Sequence, residues 1–316
     1  MVGRQAAARP GRVPADRTLD RRPRRPRRRC GPRRRRQRRP PQPGRGAPGL
    51  DVRTGPRLST SVLVFNATSP ALSDVAVRKA LWQGIDRAQL ATVRFNGLDH
   101  VETPPGSALY HPFQPEYQDN MPVRFDAAAA AQTLEGAGYT DENGTRAKDG
   151  KPLSIRFTIH GDDPMSTALA QTVQNQLTKI GVEAQIDARP QSAFGQTMSS
   201  RDFDVLLAGG GSDSPDPTSA MCQTMCSTSP GNASGAGTPE LDERIARLGA
   251  QADDDARAAE INAIEKEWLG QYGQLPLWHG PDVYAIRTGL SGLGPAAFAS
   301  LTTDWEDVGW EPGTGH

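Results

Sequence analysis

Two hydrophobic rhythms alternate along the chain after residue 60. Leu153, Ile155, Phe157 and Ile159 take every second position, and so do Val182, Ala184 and Ile186; each run predicts a strand with one buried face. Short apolar runs at 61–66 and 203–208 predict two more strands, and 275–278 and 283–286 a further two. Between them the period lengthens. Val77, Leu81 and Ile85, with Ala80 and Ala88 beside them, predict a helix over 75–90 opened by Ser73 or Asp74, with Arg78, Lys79 and Arg87 off its apolar face. Asp126 opens an alanine-rich helix that stops at Gly138. Ser166 opens another, with Leu169, Val173, Leu177 and Ile180 facing inward and Gly181 at its end. Thr238 and Pro239 start a helix that buries Leu241, Ile245 and Leu248, and a helix over 254–270 carries Ile261, Ile264 and Trp268. Residues 97–122 read as an extended loop, 141–151 as a polar turn, and 289–316 as an irregular tail with Trp305 and Trp310. Helices and strands in this order predict an α/β layer structure without internal repeats.

Charge splits the 316 residues in two. Residues 1–57 carry 20 Arg against 3 Asp, a net +17, and the remaining 17 Lys/Arg against 33 Asp/Glu leave −16, so the whole-chain +1 describes neither part. The first segment holds almost no apolar residues, no Lys and no Glu, and it is predicted to be disordered because it cannot bury enough surface to offset chain entropy. Two readings fit it: a basic arm for nucleic acid, or translation of GC-rich DNA from a wrong start or frame. The acidic remainder opposes phosphate contact, so no nucleic-acid partner is expected for it. No run of about 7–15 apolar residues follows Met1, as a secretory signal needs. No apolar stretch approaches the roughly 20 residues of a membrane span.

Candidate chemistry concentrates at FDVLLAGGGSDSPDPTS, residues 203–219. A strand that ends in Gly209, Gly210 and Gly211 brings bare backbone to a sheet rim, and Ser212, Asp213 and Asp216 follow it. Small ligands commonly bind at such rims. The short acids suit a cationic or peptide-like ligand. Motifs for catalysis are only approached: the fifth position of Gly210-Gly-Ser212-Asp-Ser214 is not Gly, and the Gly144–Lys151 imitation of a phosphate loop is one residue too long and runs into Pro152. Asp162–Asp163 and Asp253–Asp255 read as a turn and a helix start. No enzyme activity and no cofactor are expected. Cys222 and Cys226 form a disulfide or stay as free thiols, while Cys30 lies in the arginine-rich segment. His100, His111, His160, His279 and His316 show no metal-ligand spacing.

Five segments in order resemble the extracytoplasmic solute-binding proteins of peptide and nickel ABC importers. DVAVRKALWQGIDR (74–87) is similar to that family's "DxRVRxAxxxAIDR", and FDAAAAAQTLEGAGY (125–139) to "yDpekAkxLLxeAGY". LAQTVQNQLTKIGV (169–182) follows "ixxxLxxiGI", residues 203–217 fit "yDxxxxGWxxDxxDP", and SGAGTPELD (234–242) matches "sgYxNPevD". The resemblance implies an α/β, periplasmic-binding-protein-like fold (type II, peptide-binding subgroup). It implies capture of a peptide or small solute and delivery to membrane permease subunits, outside the cytoplasm, in a family that includes lipoproteins. It places Asp213 opposite a ligand α-amino group, with Gly210, Gly211, Ser212 and Asp216 around it. Two departures stand out: Gly210 replaces the usual Trp, and Leu207 stands where some relatives carry Arg. The implied organisation is an arm at 1–57, a second lobe at 58–270, and a return at 271–316 to a first lobe that this chain lacks, so that the chain is expected to be truncated and to offer one wall of a two-walled site.

Overall fold

The computed structural model describes residues 48–211, 216–295 and 304–313. In chain order its elements are β1 (Leu50–Pro56), β2 (Ser59–Phe65), α1 (Val75–Gly84), α2 (Arg87–Arg94), α3 (Ala127–Gly136), β3 (Thr140–Glu142), β4 (Thr145–Lys148), β5 (Lys151–Pro152), β6 (Ser154–His160), α4 (Pro164–Lys179), β7 (Glu183–Arg189), α5 (Phe194–Ser200), β8 (Val205–Gly211), α6 (Thr218–Met225), α7 (Pro239–Leu248), α8 (Asp254–Leu269), β9 (Gln274–Trp278), β10 (Pro281–Arg287), β11 (Leu290–Ser291) and β12 (Gly309–Trp310).

A five-stranded mixed sheet in the order β7-β6-β8-β2-β9 forms the centre. β6 runs parallel to β7 and β8, while β2 runs antiparallel to β8 and β9. Alternation along β2 splits the core. Leu63 and Phe65 join Leu81, Trp82, Phe157, Leu177 and Trp268 in the main cluster, whereas Val62 and Val64 join Phe203 and Leu206 in a smaller one on the other face. β1 and β10 form a separate antiparallel ribbon, in register from Leu50 opposite Arg287 to Pro56 opposite Pro281.

The helix expected over 75–90 breaks in two. Ile85 is extended (φ −101°, ψ 111°), and Asp86 caps a second helix by accepting a hydrogen bond from the Gln89 amide. The break lets helix α4 approach: a Cβ on Gly84 would lie 2.5 Å from Ile180, and Gln176 Oε1 accepts from the Asp86 amide. Asp163, not Ser166, caps α4, with Pro164 at its first turn. Gly138 and Gly181 close their helices at φ 89° and 84°, in the left-handed region that glycine favours.

Three expectations need correction. Order does not wait for residue 58, because β1 lies inside the segment expected to be disordered; its groups are satisfied by ladder pairing and by Arg53, which donates to the Leu290 and Leu293 carbonyls, rather than by apolar burial. The chain also does not leave the body at 271, since β9 completes the central sheet against β2. Residues 141–151 form hairpins rather than a plain turn. Asn143-Gly144 and Asp149-Gly150 all have positive φ, the signature of tight type I′ turns.

The arginines placed off the apolar face of α1 are not solvated. Arg78 is buried and donates to the carbonyls of Leu72, Ser73 and Gln271. Arg87 donates to the carbonyls of Pro105 and Pro276, and burial lowers its pKa to about 10. Arg78 ties α1 to the segments at 72–73 and 271, and Arg87 ties α2 to the long loop and to β9.

Candidate functional site

β8 enters the sheet with Val205 and Leu206 buried and leaves it as three glycines paired with Ser59, Thr60 and Ser61 of β2. Side chains are missing there for different reasons. A Cβ on Gly209 would sit 3.2 Å from the Thr60 carbonyl oxygen, whereas one on Gly210 would meet nothing within 4 Å. The open backbone of Gly210 borders a cavity of about 230 Å³. Thr60, Val62 and Val64 of β2 form its floor, Ala220 and Thr224 of α6 one side, and Ala108, Leu109 and His111 of the long loop the other.

Of the residues expected at this site, Gly210 lines the cavity and Gly211 continues the β8 ladder. Ser212 and Asp213 lie outside the described residues. Asp216 is placed elsewhere. Its Oδ1 accepts from the Thr218 amide (2.9 Å) and hydroxyl (2.6 Å) at the start of α6, and its Oδ2 lies 3.5 Å from Arg257 Nε. Burial would raise its pKa, but the Thr218 hydrogen bonds and Arg257 outweigh burial and hold the carboxyl below its ordinary value. Asp216 therefore fastens the beginning of α6 and borders a separate small cavity with Tyr110, Glu116 and Arg257.

Cys222 and Cys226 are joined in a disulfide across the end of α6. The buried Asn232 holds the segment that follows, donating to the carbonyls of Cys226 and Ala236 while Arg201 donates to its own carbonyl. The near-motif at Gly144–Lys151 is hairpin, and Asp163 and Asp253 are helix caps.

The opposite wall hangs from one buried carboxylate. Glu265 of α8 accepts from the Ser107 hydroxyl (2.9 and 2.8 Å), the Ala108 and Leu109 amides (2.7 and 3.1 Å) and Asn120 Nδ2 (2.7 Å). Burial pushes its pKa up against the pull of these donors. Nothing in the local sequence signals this role, because Glu265 lies far along the chain from its partners.

Three of the five histidines, His100, His111 and His279, come together although the sequence shows no pattern. His111 and His279 pack with ring centroids 3.9 Å apart and planes tilted by 38°, and both are buried. His279 Nδ1 lies 2.9 Å from Thr60 Oγ1. Beside them His100 Nε2 contacts Glu102 at 2.7 Å, and Glu102 accepts from the His279 and Gly280 amides. Burial lowers His111 to about 4 and His279 to about 3, with Arg57 adding to both, so the pair is neutral at pH 7. Among the described residues no cluster of three or more His, Cys, Asp or Glu is arranged to hold a metal ion, and no helix is long and apolar enough to cross a membrane.

Comparison with known proteins places this geometry. The model of bacterial extracellular solute-binding proteins, family 5 Middle, matches residues 37–232. The oligopeptide-binding protein OppA of Mycobacterium tuberculosis (strain ATCC 25618 / H37Rv) is 29% identical over 265 residues, covering 83% of this chain and 44% of that protein. The nickel-binding periplasmic protein of Escherichia coli (strain K12) is 25% identical over 150 residues, covering 46% of this chain and 28% of its own length. The chain thus spans less than half the length of these curated relatives. Among solved structures, the oligopeptide-binding protein AppA of Bacillus subtilis in complex with a nonapeptide superimposes with a TM-score of 0.68 at 23% identity, over 78% of this chain and 50% of that one. NikA of Brucella suis in complex with Fe(III)-EDTA gives 0.70 at 22% identity, over 83% and 53%. These structural matches speak for the fold alone, which is the expected α/β binding-protein fold. The family match begins at residue 37, inside the arginine-rich segment. Covering well over half of the sequence, it identifies the chain as a member of the bacterial extracellular solute-binding proteins, family 5.

Proposed function

We propose that the described body supplies one wall of a solute-binding cleft, and that the protein captures a peptide or related small solute outside the cytoplasm for transfer to the permease of an ABC importer. The observation that carries this reading is the groove at the glycine end of β8, floored by Val62 and Val64 and flanked by α6, in a chain of this family. Its volume of about 230 Å³ is below the roughly 300–1,000 Å³ of typical small-molecule sites, which suits a half-site completed by a facing surface. The Cys222–Cys226 disulfide suits an oxidising, extracytoplasmic compartment. A role in binding rather than catalysis accords with the absence of a complete catalytic motif in the sequence.

Asp213 is the proposed partner for a ligand ammonium. It stands two residues beyond Gly211, and a carboxylate beside a cleft binds an ammonium through a charge-assisted hydrogen bond. With Gly210 in place of an aromatic residue, the groove is wider and offers less apolar contact. Oligopeptides and nickel, the ligands named for the relatives above, are the first solutes to test.

Isothermal titration with di- to pentapeptides decides between these ideas. Asp213→Asn is expected to weaken peptides with a free amino terminus about tenfold or more and to spare their acetylated forms. Equal loss for both removes Asp213 from the ammonium role. Absence of binding by any peptide or by nickel up to millimolar concentration removes the capture reading for this chain. A nucleic-acid role rests on the basic segment alone, and no observation in the described residues favours it.

A further inference from the structure

Three loops meet where the β1–β10 ribbon joins the body. The end of β1 brings Arg57, the long loop brings His100, Glu102 and His111, and the β9–β10 turn brings His279. Two links join the last two segments: the His111 and His279 imidazoles pack together with their rings tilted by 38°, and Glu102 accepts from the His279 and Gly280 amides. The two rings are 3% and 7% exposed, and one nitrogen of each, His111 Nδ1 and His279 Nε2, is buried without a hydrogen-bond partner. Arg57 Nε nearby is also buried and unpartnered. The ring contact holds only while both rings are neutral. A proton on either ring creates a buried cation pressed against its neighbour and beside a guanidinium, opposed at His279 only by the Ser59 backbone, which favours the charged ring.

We propose that His111 and His279 form an acid-released clasp between the long loop and the β9–β10 turn, and that its opening withdraws one wall of the groove under β8. The connection to the groove is direct, because His111 borders both the groove and the neighbouring cavity of about 540 Å³, and Ala108 and Leu109 line the groove beside it. That second cavity, walled by Arg57, His100 and Phe113, gives protons and water a route to the rings.

The surrounding groups set the balance. Arg57 opposes protonation from the β1 side, and its Nη1 lies 3.6 Å from Asp282 of β10. Glu102 favours protonation of His111 but is engaged by His100 and by the His279 and Gly280 amides. Thr60 of β2 contacts His279 Nδ1. On the far side of the loop, Glu265 holds the Ala108 and Leu109 amides, and on the near side Glu102 holds the His279 and Gly280 amides. The lowered imidazole pKa values agree with the geometry. The clasp itself requires no solute; only its effect on capture rests on the function proposed above.

The test uses the full chain without solute. Amide exchange at Leu109, Tyr110, His279 and Gly280 is followed from pH 7 to pH 4 together with the ring nitrogens of each histidine. The expected result is that His111 and His279 stay neutral below pH 5 and then titrate as exchange at these four amides rises at least tenfold beyond the intrinsic pH trend. His279→Gln, a neutral ring replacement, is expected to cut that rise by at least threefold; His111→Asn serves if the first variant does not fold. Titration of either ring near 6.5, a loop whose protection ignores the protonation of both rings, or an acid response unchanged in both variants overturns the proposal, the last by assigning the response to Glu102 and Glu265, the carboxylates that hold these amides. A clasp that opens as described while no peptide ever binds leaves the clasp standing and refutes the capture function instead.

Discussion

The groove under β8 and the histidine clasp share a wall but are built on opposite principles. The groove is a contiguous feature: an apolar strand runs into three glycines, and its chemistry consists of exposed backbone and small side chains. The clasp is made by segments scattered along the chain, and its chemistry consists of buried nitrogens that lack partners. The first leaves open space beside the Gly210 backbone at little cost to stability. The second stores an electrostatic liability that stays silent until protons arrive.

The largest effect should come from the support common to both. Glu265→Leu removes the acceptor shared by Ser107, Ala108, Leu109 and Asn120, leaving Leu109 only the Ser107 hydroxyl and Asn120 only Asn262, and a loss of about 3–5 kcal/mol in urea denaturation is expected. A loss below about 1 kcal/mol shows that the loop is held by other means, and the two sites are then independent.

Acid separates the sites. His111 and His279 have folded-state pKa values near 4 and 3, below the roughly 6.5 of the unfolded chain, so the unfolded state binds more protons in that window. Their contribution is therefore intact above about pH 7 and is lost as pH falls towards 3. Glu265, whose pKa burial raises, works in the opposite sense. A net loss of about 2–3 kcal/mol between pH 7 and pH 5 is expected from chemical denaturation of the unmodified chain, smaller in His279→Gln.

The groove side responds to reductant instead. Replacing Cys222 and Cys226 by Ser opens a short loop, for which about 2 kcal/mol is expected, with the midpoint of heat unfolding lowered and the acid response unchanged. The smallest effect on stability belongs to Gly210→Trp. A Cβ there meets no atom within 4 Å, so stability should stay within about 0.5 kcal/mol while the added ring tightens apolar solutes. A large destabilisation by Gly210→Trp, or an unchanged affinity, shows that the position does not face the ligand.

Periodicity made most of the body legible. The alternating runs of β6 and β7 and the three- and four-residue spacing of α4 and α7 leave few alternatives, since each buried position repeats at the period of its element. Three features escaped because their cause is not periodic. The break between α1 and α2 depends on Ile180 pressing against Gly84, a contact between distant segments. β1 is ordered by its ladder with β10, so its apolar content says nothing about it. Arg78 and Arg87 look like solvated charges until the loop carbonyls they bind are seen. At the candidate site, the glycine end of β8 was readable from Gly209, Gly210 and Gly211, whereas the contacts of Asp216 with Thr218 and Arg257 had no signal in the sequence. The packed histidines had no sequence signal, because only tertiary folding brings His111 to His279.

The position of β2 has a consequence for how the protein is made. This strand stands inside the sheet, yet both neighbours are late arrivals: Phe65 pairs with Val205, and Leu63 with Leu275. A nascent chain cannot cover its own midline until synthesis has passed residue 278, so collapse into the finished sheet is a slow, largely post-translational event. For the extracytoplasmic placement proposed above, such delay is an advantage: it leaves the polypeptide threadable until its last central strand has been made.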